Sequence, residues 1–329
     1  NAESLTLGND DDTATMGVGN DTVVGTAGAN TIDMGAGNDS VTAGSGIENI
    51  SGGAGNDTIN MGSVLTALDT VDGGDGTDTL ITGGALASAT ILGGVSNIEV
   101  LKYSAAVGVT LAANISATTF DMTDTSNNVL TLNAGYTDAV TVILGSTAAS
   151  DTTNADSVIN GGGTTLANTT LTVKGYTDNF DAATTLTGGT GTDSLVIYQK
   201  NGTAIVDGDI TGFENVTITD TAGDNTGDVT LTMTSYATAA TIDASALDTG
   251  EDDTLNLDGA TKALTIKGGD GVSTITGGTK GDTIHGNAGA DIINANAGLD
   301  NISGGAGNDS ITADTEAEFL TTLGTDTVD

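Results

Sequence analysis

Aliphatic residues recur at every ninth position near the start of the chain: Ala14, Val23, Ile32, Val41, Ile50 and Ile59. The same spacing returns near the C-terminus with Ile275, Ile284, Ile293, Ile302 and Ile311. Most residues on either side of these positions are polar, as in Thr31-Ile32-Asp33 and Thr58-Ile59-Asn60. One apolar residue between polar neighbours predicts a three-residue strand that buries a single side chain, because successive side chains on a strand point to opposite faces. Between these strands lie six-residue stretches containing glycines such as Gly53, Gly55, Gly305 and Gly307. They predict tight turns whose backbone enters positive φ.

Written in nines, the first block reads LGNDDDTAT, MGVGNDTVV, GTAGANTID, MGAGNDSVT, AGSGIENIS and GGAGNDTIN, and the second GGDGVSTIT, GGTKGDTIH, GNAGADIIN, ANAGLDNIS and GGAGNDSIT. Isolated copies stand at 73–81 (GGDGTDTLI) and 188–196 (GGTGTDSLV). Two nonapeptides make one coil, so every second turn stacks along the same edge. The expected fold is all-β, a parallel β-solenoid in which two regular blocks flank an irregular β-solenoid. The expected boundaries are 1–81 for the first block, 82–187 for a threonine-rich layer, 188–265 for a second layer opened by one nonapeptide, and 266–329 for the C-terminal block. The middle carries short runs such as Leu130-Thr131-Leu132 and Leu171-Thr172-Val173 and few helix-period patterns.

The sixth position of the unit is where chemistry is expected. It reads Asp12, Asp21, Asn30, Asp39, Glu48 and Asp57 in the first block, and Ser273, Asp282, Asp291, Asp300 and Asp309 in the second. Asp78 and Asp193 hold the same place in the isolated copies. Stacking puts Asp21, Asp39 and Asp57 on one edge and Asp12, Asn30 and Glu48 on the other, so the second edge is expected to be the weaker. In the second block both edges carry aspartate, Asp282 with Asp300 and Asp291 with Asp309. Stacked carboxylates and turn carbonyls offer only hard oxygen ligands, and calcium takes six to eight of these.

Charge strengthens that expectation. The chain has 44 acidic and 6 basic residues, a formal net charge of −38, and no arginine. Such a polyanion is repelled by nucleic acid and by anionic membranes, so neither is an expected partner. Low aromatic content with high charge is also the composition of disordered chains, but 37% of the residues are hydrophobic and regularly spaced, which points to order conditional on a counter-ion. There is no cysteine, and the one histidine, His285, falls at an outward ninth position. Ser-His-Asp and Cys-His catalysis therefore have little material, and no enzymatic activity is expected. The tyrosines (Tyr103, Tyr136, Tyr176, Tyr198 and Tyr236) are expected to pack rather than to form a sugar platform.

These nonapeptides resemble the GGxGxDxUx signature of the RTX (repeats-in-toxin) calcium-binding β-roll family, U being a large aliphatic residue. The match covers roughly residues 7–81 and 266–312, with one copy at 188–196. The resemblance implies calcium ligation by Asp21, Asp39, Asp57, Asp78, Asp193, Asp282, Asp291, Asp300 and Asp309; Asp12 holds the corresponding position. Asn30, Glu48 and Ser273 depart from the pattern. It also implies type I secretion from a Gram-negative bacterium and folding outside the cell.

Both isolated copies are followed by a glutamate, and the separation from Asp78 to Glu99 equals that from Asp193 to Glu214. A nonapeptide followed by such a threonine-rich layer resembles RTX-type S-layer proteins. A longer repeat is visible as well, since GIENISGGAGNDTIN (46–60) and GLDNISGGAGNDSIT (298–312) agree at 11 of 15 positions. Each is followed by an insertion ending Asp-Thr-Val-Asp, at 69–72 and 326–329. The expectation is a tandem array with a unit of about 250 residues. The leading functional reading is a calcium-dependent structural protein at the cell surface, self-associating into a lattice or filament, with cell-surface polysaccharide a further candidate partner. The alternatives are an adhesin or ice-binding solenoid, and the accessory β-roll of a secreted enzyme. The outward series Thr15, Val24, Asp33, Thr42, Ser51 and Asn60 lacks the regular ladder that ice binding needs.

Overall fold

The computed structural model describes residues 1–83, 91–104, 108–111, 116–122, 129–132, 139–144, 158–160, 170–176, 185–188, 191–199, 204–206, 209–219, 228–233, 236–238, 240–312, 319–321 and 327–328. They form a parallel β-solenoid; the helical content among them is one 3-10 turn, Ile91–Gly94. No helix among the described residues is long and apolar enough to cross a membrane. The chain divides into two compact units, Asn1–Asp151 and Thr152–Asp329.

In the first unit, strands alternate between two sheets. One pairs Ser4–Thr6, Thr22–Val24, Ser40–Thr42, Thr58–Gly62, Thr79–Thr82, Val100–Tyr103, Thr119–Met122 and Val140–Leu144 in that order, all parallel. The other pairs Thr13–Thr15, Thr31–Asp33, Asn49–Ala54, Thr70–Asp75 and Val95–Ser96. The second unit repeats the arrangement. Its larger sheet runs Leu171–Tyr176, Ser194–Tyr198, Asn215–Thr219, Ala240–Ala246, Leu264–Lys267, Thr283–Ala288, Asn301–Ala306 and Phe319–Thr321. The facing sheet runs Ala204–Val206, Val229–Thr232, Asp253–Asn256, Ser273–Thr276, Ile292–Asn294, Ser310–Thr312 and Thr327–Val328.

Register within the blocks follows the expected coil of two nonapeptides, as in Thr22 opposite Ser40 and Thr283 opposite Asn301. The coil is longer where Thr58 pairs with Thr79 and Asn49 with Thr70, because the insertion before Asp69 adds residues to it. In the middle the offset varies from coil to coil: Val100 pairs with Thr119, but Asn215 reaches as far as Thr241. Pairing persists while coil length does not, which makes this stretch an irregular solenoid.

Each coil contributes aliphatic side chains to a narrow interior. Val23, Val41, Ile59, Leu80 and Leu101 stack in one column, and Ile266, Ile284 and Ile302 in another, all buried. Longer coils enclose more space, and there the interior takes Tyr103, Phe120, Phe213 and Tyr236, all fully buried. The Tyr236 hydroxyl donates to the Phe213 carbonyl, so this ring serves packing. Tyr198 is half-buried; Tyr136 and the side chain of Tyr176 lie outside the described residues.

The turns stack backbone on backbone. Gly53 has φ +103, and a Cβ there would collide with the Gly35 carbonyl one coil away. At the equivalent second position of the later block Asn287 and Asn296 adopt φ 76 and 61, a conformation asparagine tolerates better than most residues. Their side-chain amides donate to the Gly268 and Gly277 carbonyls.

Neighbouring isoleucines give a test of this inside–outside division. Ile302 is fully buried, whereas Ile292 is 53% exposed. Replacing Ile302 by Ala is expected to lower stability by about 2–5 kcal/mol, and Ile292→Ala to change it by about 0.5 kcal/mol or less, in urea unfolding of the folded chain.

Candidate metal centre

Each sixth-position aspartate sits where a turn enters a strand, and the coil repeat lines these residues up. Asp39 Oδ1 accepts the Asp21 backbone N–H at 2.7 Å, Asp57 Oδ1 accepts from Asp39 at 2.8 Å, and Asp78 Oδ1 accepts from Asp57 at 2.8 Å. The ladder starts at the Glu3 N–H, which donates to Asp21 Oδ1 at 2.7 Å, and ends at Glu99, whose Oε2 accepts the Asp78 N–H at 2.8 Å. One oxygen of each carboxylate is thus held by the coil before it. The other oxygen, Oδ2 of Asp21, Asp39, Asp57 and Asp78, is buried and has no hydrogen-bond partner. A buried anionic oxygen without a donor is costly, so the arrangement calls for a cation.

The surroundings of those oxygens fit calcium. A Cβ added to Gly52 would collide with both Asp57 Oδ2 and the Gly73 carbonyl oxygen of the next coil. One added to Gly286 would meet Asp291 Oδ2 and the Gly304 carbonyl in the same way. Carboxylate and carbonyl oxygens therefore converge beside the first glycine of the unit, a cradle that any side chain would fill. No group of three or more His, Cys, Asp or Glu side chains able to hold a metal occurs among the described residues. The repeat explains why: each coil adds one carboxylate per edge, and further ligands have to be backbone carbonyls. Such a set suits a hard, oxygen-seeking ion of flexible coordination and not zinc. Asp21, Asp39, Asp57 and Asp78 are the residues that would hold it on this edge. Bound there, calcium would supply the positive charge that lets stacked carboxylates approach.

The opposite edge is chemically different. The Asp12 N–H donates to Asn30 Oδ1 at 3.2 Å, Asn30 Nδ2 donates to Glu48 Oε1 at 3.3 Å, and the Glu48 N–H donates to Asp69 Oδ1 at 2.8 Å. Asn30 thus brings a hydrogen-bond donor of its own. Asp12 Oδ2 accepts from Gly8 in its own turn, although Glu48 Oε2 stays buried without a hydrogen-bond partner. Of the cluster Asp10-Asp11-Asp12, Asp10 is exposed and Asp11 accepts from the Ala29 N–H.

In the second unit the structure brings together the expected pairs. Asp300 Oδ1 accepts from the Asp282 N–H at 2.7 Å, and Asp309 Oδ1 accepts from Asp291 at 2.9 Å. Asp282 Oδ2 takes the Gly278 N–H of its own turn, whereas Asp291 Oδ2 is buried with no hydrogen-bond partner. Ser273 donates its hydroxyl to Asp253, a buried carboxylate that the nonapeptide frame does not identify. Asp193 Oδ1 accepts from Leu171 at 2.7 Å, and its own N–H donates to Glu214 at 2.8 Å. His285 is half-buried on a strand, in register with Lys267 and Ser303.

Several participants escaped the frame. Asp69 takes a sixth-position role at the end of the insertion. Asn20, Asn38 and Asn56 form a second ladder, each accepting the N–H of the residue one coil on, at 2.9–3.0 Å. Their recurrence before aspartate was the available signal.

Burial raises the Asp39, Asp57, Asp78, Asp282 and Asp291 carboxyls above the usual range, with a smaller push from the carboxylate one coil away; Asp291 rises to about 7. A folded-state value above the unfolded one means that the folded chain binds more protons. The protonated form therefore favours folding, and that contribution is lost as pH rises through the folded-state values. In chelator, β-structure measured by circular dichroism is expected to be greater near pH 4 than near pH 7.5. With calcium the trend reverses, because the ion needs ionised ligands. Calcium affinity measured by titration is expected to fall as pH drops below 7.

A family model described as RTX calcium-binding nonapeptide repeat (4 copies) matches residues 15–47, 42–60, 68–85, 267–301 and 295–315. These stretches contain Asp21, Asp39, Asp57, Asp78, Asp282, Asp291, Asp300 and Asp309, while Asp12 and Asp193 lie outside them. No curated protein and no solved structure matches the chain. The stacked turns, their carboxylate ladders and these matched stretches agree: the chain carries RTX calcium-binding nonapeptide repeats in both of its units.

Proposed function

We propose that this chain is a secreted structural protein that folds on calcium outside the cell and associates with further copies of itself into a cell-surface layer or extracellular filament. The observation that carries the reading is the row of buried carboxylate oxygens, Asp21, Asp39, Asp57 and Asp78, that have no hydrogen-bond donor. Inside a cell, where free calcium is scarce, such a row opposes folding. Outside, the ion links one coil to the next, and folding and binding become a single event. At free calcium about a thousandfold above its dissociation constant, each independent site adds roughly 4 kcal/mol of stability. This favours export of an unfolded chain, as in type I secretion from a Gram-negative bacterium.

In this reading the carboxylates serve stability and assembly, and the chain performs no catalysis itself. Assembly draws support from the near-copy of residues 46–60 at 298–312, which fits a tandem architecture. Side chains facing outward from the turns, Val18 and Leu299 among them, are apolar and well exposed, and offer contact area to a neighbouring copy. Nucleic acid and membrane insertion have no place in it, and a cell-surface polysaccharide is a further proposed partner.

Chelator added to the purified chain at neutral pH is expected to abolish most of its β circular dichroism, and calcium to restore it. On producing cells, chelation is expected to release an ordered array visible by electron microscopy. An unchanged spectrum, or a lattice that survives chelation, would overturn the proposal.

A further inference from the structure

The carboxylate ladders do not simply stop where the nonapeptides end. In each unit one nonapeptide aspartate, Asp78 or Asp193, is followed by the same non-repeat element. Glu99 Oε2 accepts the Asp78 N–H and Glu214 Oε2 accepts the Asp193 N–H, each at 2.8 Å. The Asp78 carbonyl accepts from both the Glu99 and Val100 N–H groups, at 3.2 and 2.9 Å. The Asp193 carbonyl likewise accepts from Glu214 and Asn215, at 3.1 Å each. Two residues before each glutamate the backbone turns to positive φ, at Asn97 (φ 49) and Gly212 (φ 76).

That turn delivers a carbonyl to the place a glycine carbonyl occupies in the regular coils. A Cβ on Gly73 would meet Asp78 Oδ2 at 2.7 Å and collide with the Asn97 carbonyl oxygen. One on Gly188 would meet Asp193 Oδ2 at 2.8 Å and collide with the Gly212 carbonyl. Asp78 is fully buried, and its Oδ2 has no hydrogen-bond partner. In a regular unit the first glycine stands five positions before its aspartate, as Gly73 does before Asp78. Here the carbonyl stands only two positions before the acid, and the extra methylene of glutamate spans the difference. Beyond it the column changes character. Strand pairing of Val100 with Thr119 and of Asn215 with Thr241 puts Thr118 and Ala240, neither of them acidic, where the next rung would be.

We propose that Glu99 and Glu214 close two calcium sites beyond the nonapeptide blocks, one with Asp78 and the Asn97 carbonyl, the other with Asp193 and the Gly212 carbonyl. Each glutamate is the terminal ligand of its row: a Cβ on Gly94, five positions before Glu99, would collide with the Asp69 carbonyl, and Asp209 holds the corresponding place before Glu214. The proposal rests on the calcium reading above and adds ligands that lie outside the stretches matched by the family model.

The test is an ion count on the full chain by native mass spectrometry in calcium, with Glu99→Gln, Glu214→Gln and the double variant. Glutamine keeps an acceptor for the aspartate N–H and removes the charge. Each single variant is expected to bind one ion fewer than the unaltered chain and the double variant two fewer, with the β circular dichroism in calcium retained. Asp78→Asn combined with Glu99→Gln is expected to lose no more than the one ion. Should a Gln variant fail to fold, Glu99→Asp and Glu214→Asp keep the charge but withdraw it, and each is expected to weaken one site at least tenfold in a calcium titration. An unchanged ion count in the Gln variants, or unchanged affinity in the Asp variants, would overturn the proposal. An unaltered chain that takes up no calcium would instead overturn the parent reading.

Discussion

The structure depends on a short hydrogen bond repeated coil after coil: a carboxylate oxygen accepting the backbone N–H of the acidic residue one coil earlier, as from Asp21 to Asp39 and from Asp39 to Asp57. It satisfies a buried N–H where the turn enters the strand, which a solenoid must do at every layer. It also fixes one side of the carboxylate, so that the remaining oxygen faces the turn with no freedom to reach solvent. The same contact that orders the backbone therefore stacks like charges at the spacing of neighbouring strands. Everything else in the regular blocks accommodates that conflict.

The glycines accommodate it sterically. Turn stacks on turn so closely that a Cβ at Gly52 would occupy the space shared by Asp57 Oδ2 and the Gly73 carbonyl. The interior accommodates it by being apolar and narrow: an aliphatic side chain on each strand, from Ala14 to Ile59, joined by Met34 and Met61, closes the layers. A core this thin gives each layer little hydrophobic stabilisation of its own, so a counter-ion between coils weighs heavily in the balance. In the middle of the chain carboxylate rungs are sparse, the coils lengthen, and buried aromatic rings take over the packing. Ionic cross-linking and hydrophobic bulk are two solutions to the same problem of holding a one-dimensional stack together.

The two edges of the first block show how little it takes to change a row. Asn30 is nearly isosteric with aspartate, yet its amide donates to Glu48 and meets an oxygen that an ion would otherwise hold. Ser273 makes a similar substitution in the second block, turning its hydroxyl to Asp253. Conversely Glu99 and Glu214, which lie outside the nine-residue frame, occupy true rungs. Residue type alone does not decide membership of a ladder; the length of the coil that delivers the residue does.

That distinction separates what was legible in the sequence from what was not. The nine-residue period by itself determined the strand positions, the buried eighth residue from Val23 to Ile311, the glycine turns, and the pairing of Asp282 with Asp300 and of Asp291 with Asp309. All of these follow from local geometry repeated at constant length. Only the tertiary structure decided that Asp69 stands beneath Glu48, that Asp57 is followed by Asp78 across a lengthened coil, and that Asp253 packs against Ser273. Insertions change how many residues a coil consumes, and the column a residue joins is set by hydrogen bonds between strands, which no count along the chain supplies. The asparagine ladder through Asn20, Asn38 and Asn56 lay in plain sight as a recurrence, but its direction, each side chain reaching forward while each aspartate reaches back, emerges only when one turn is laid on the next.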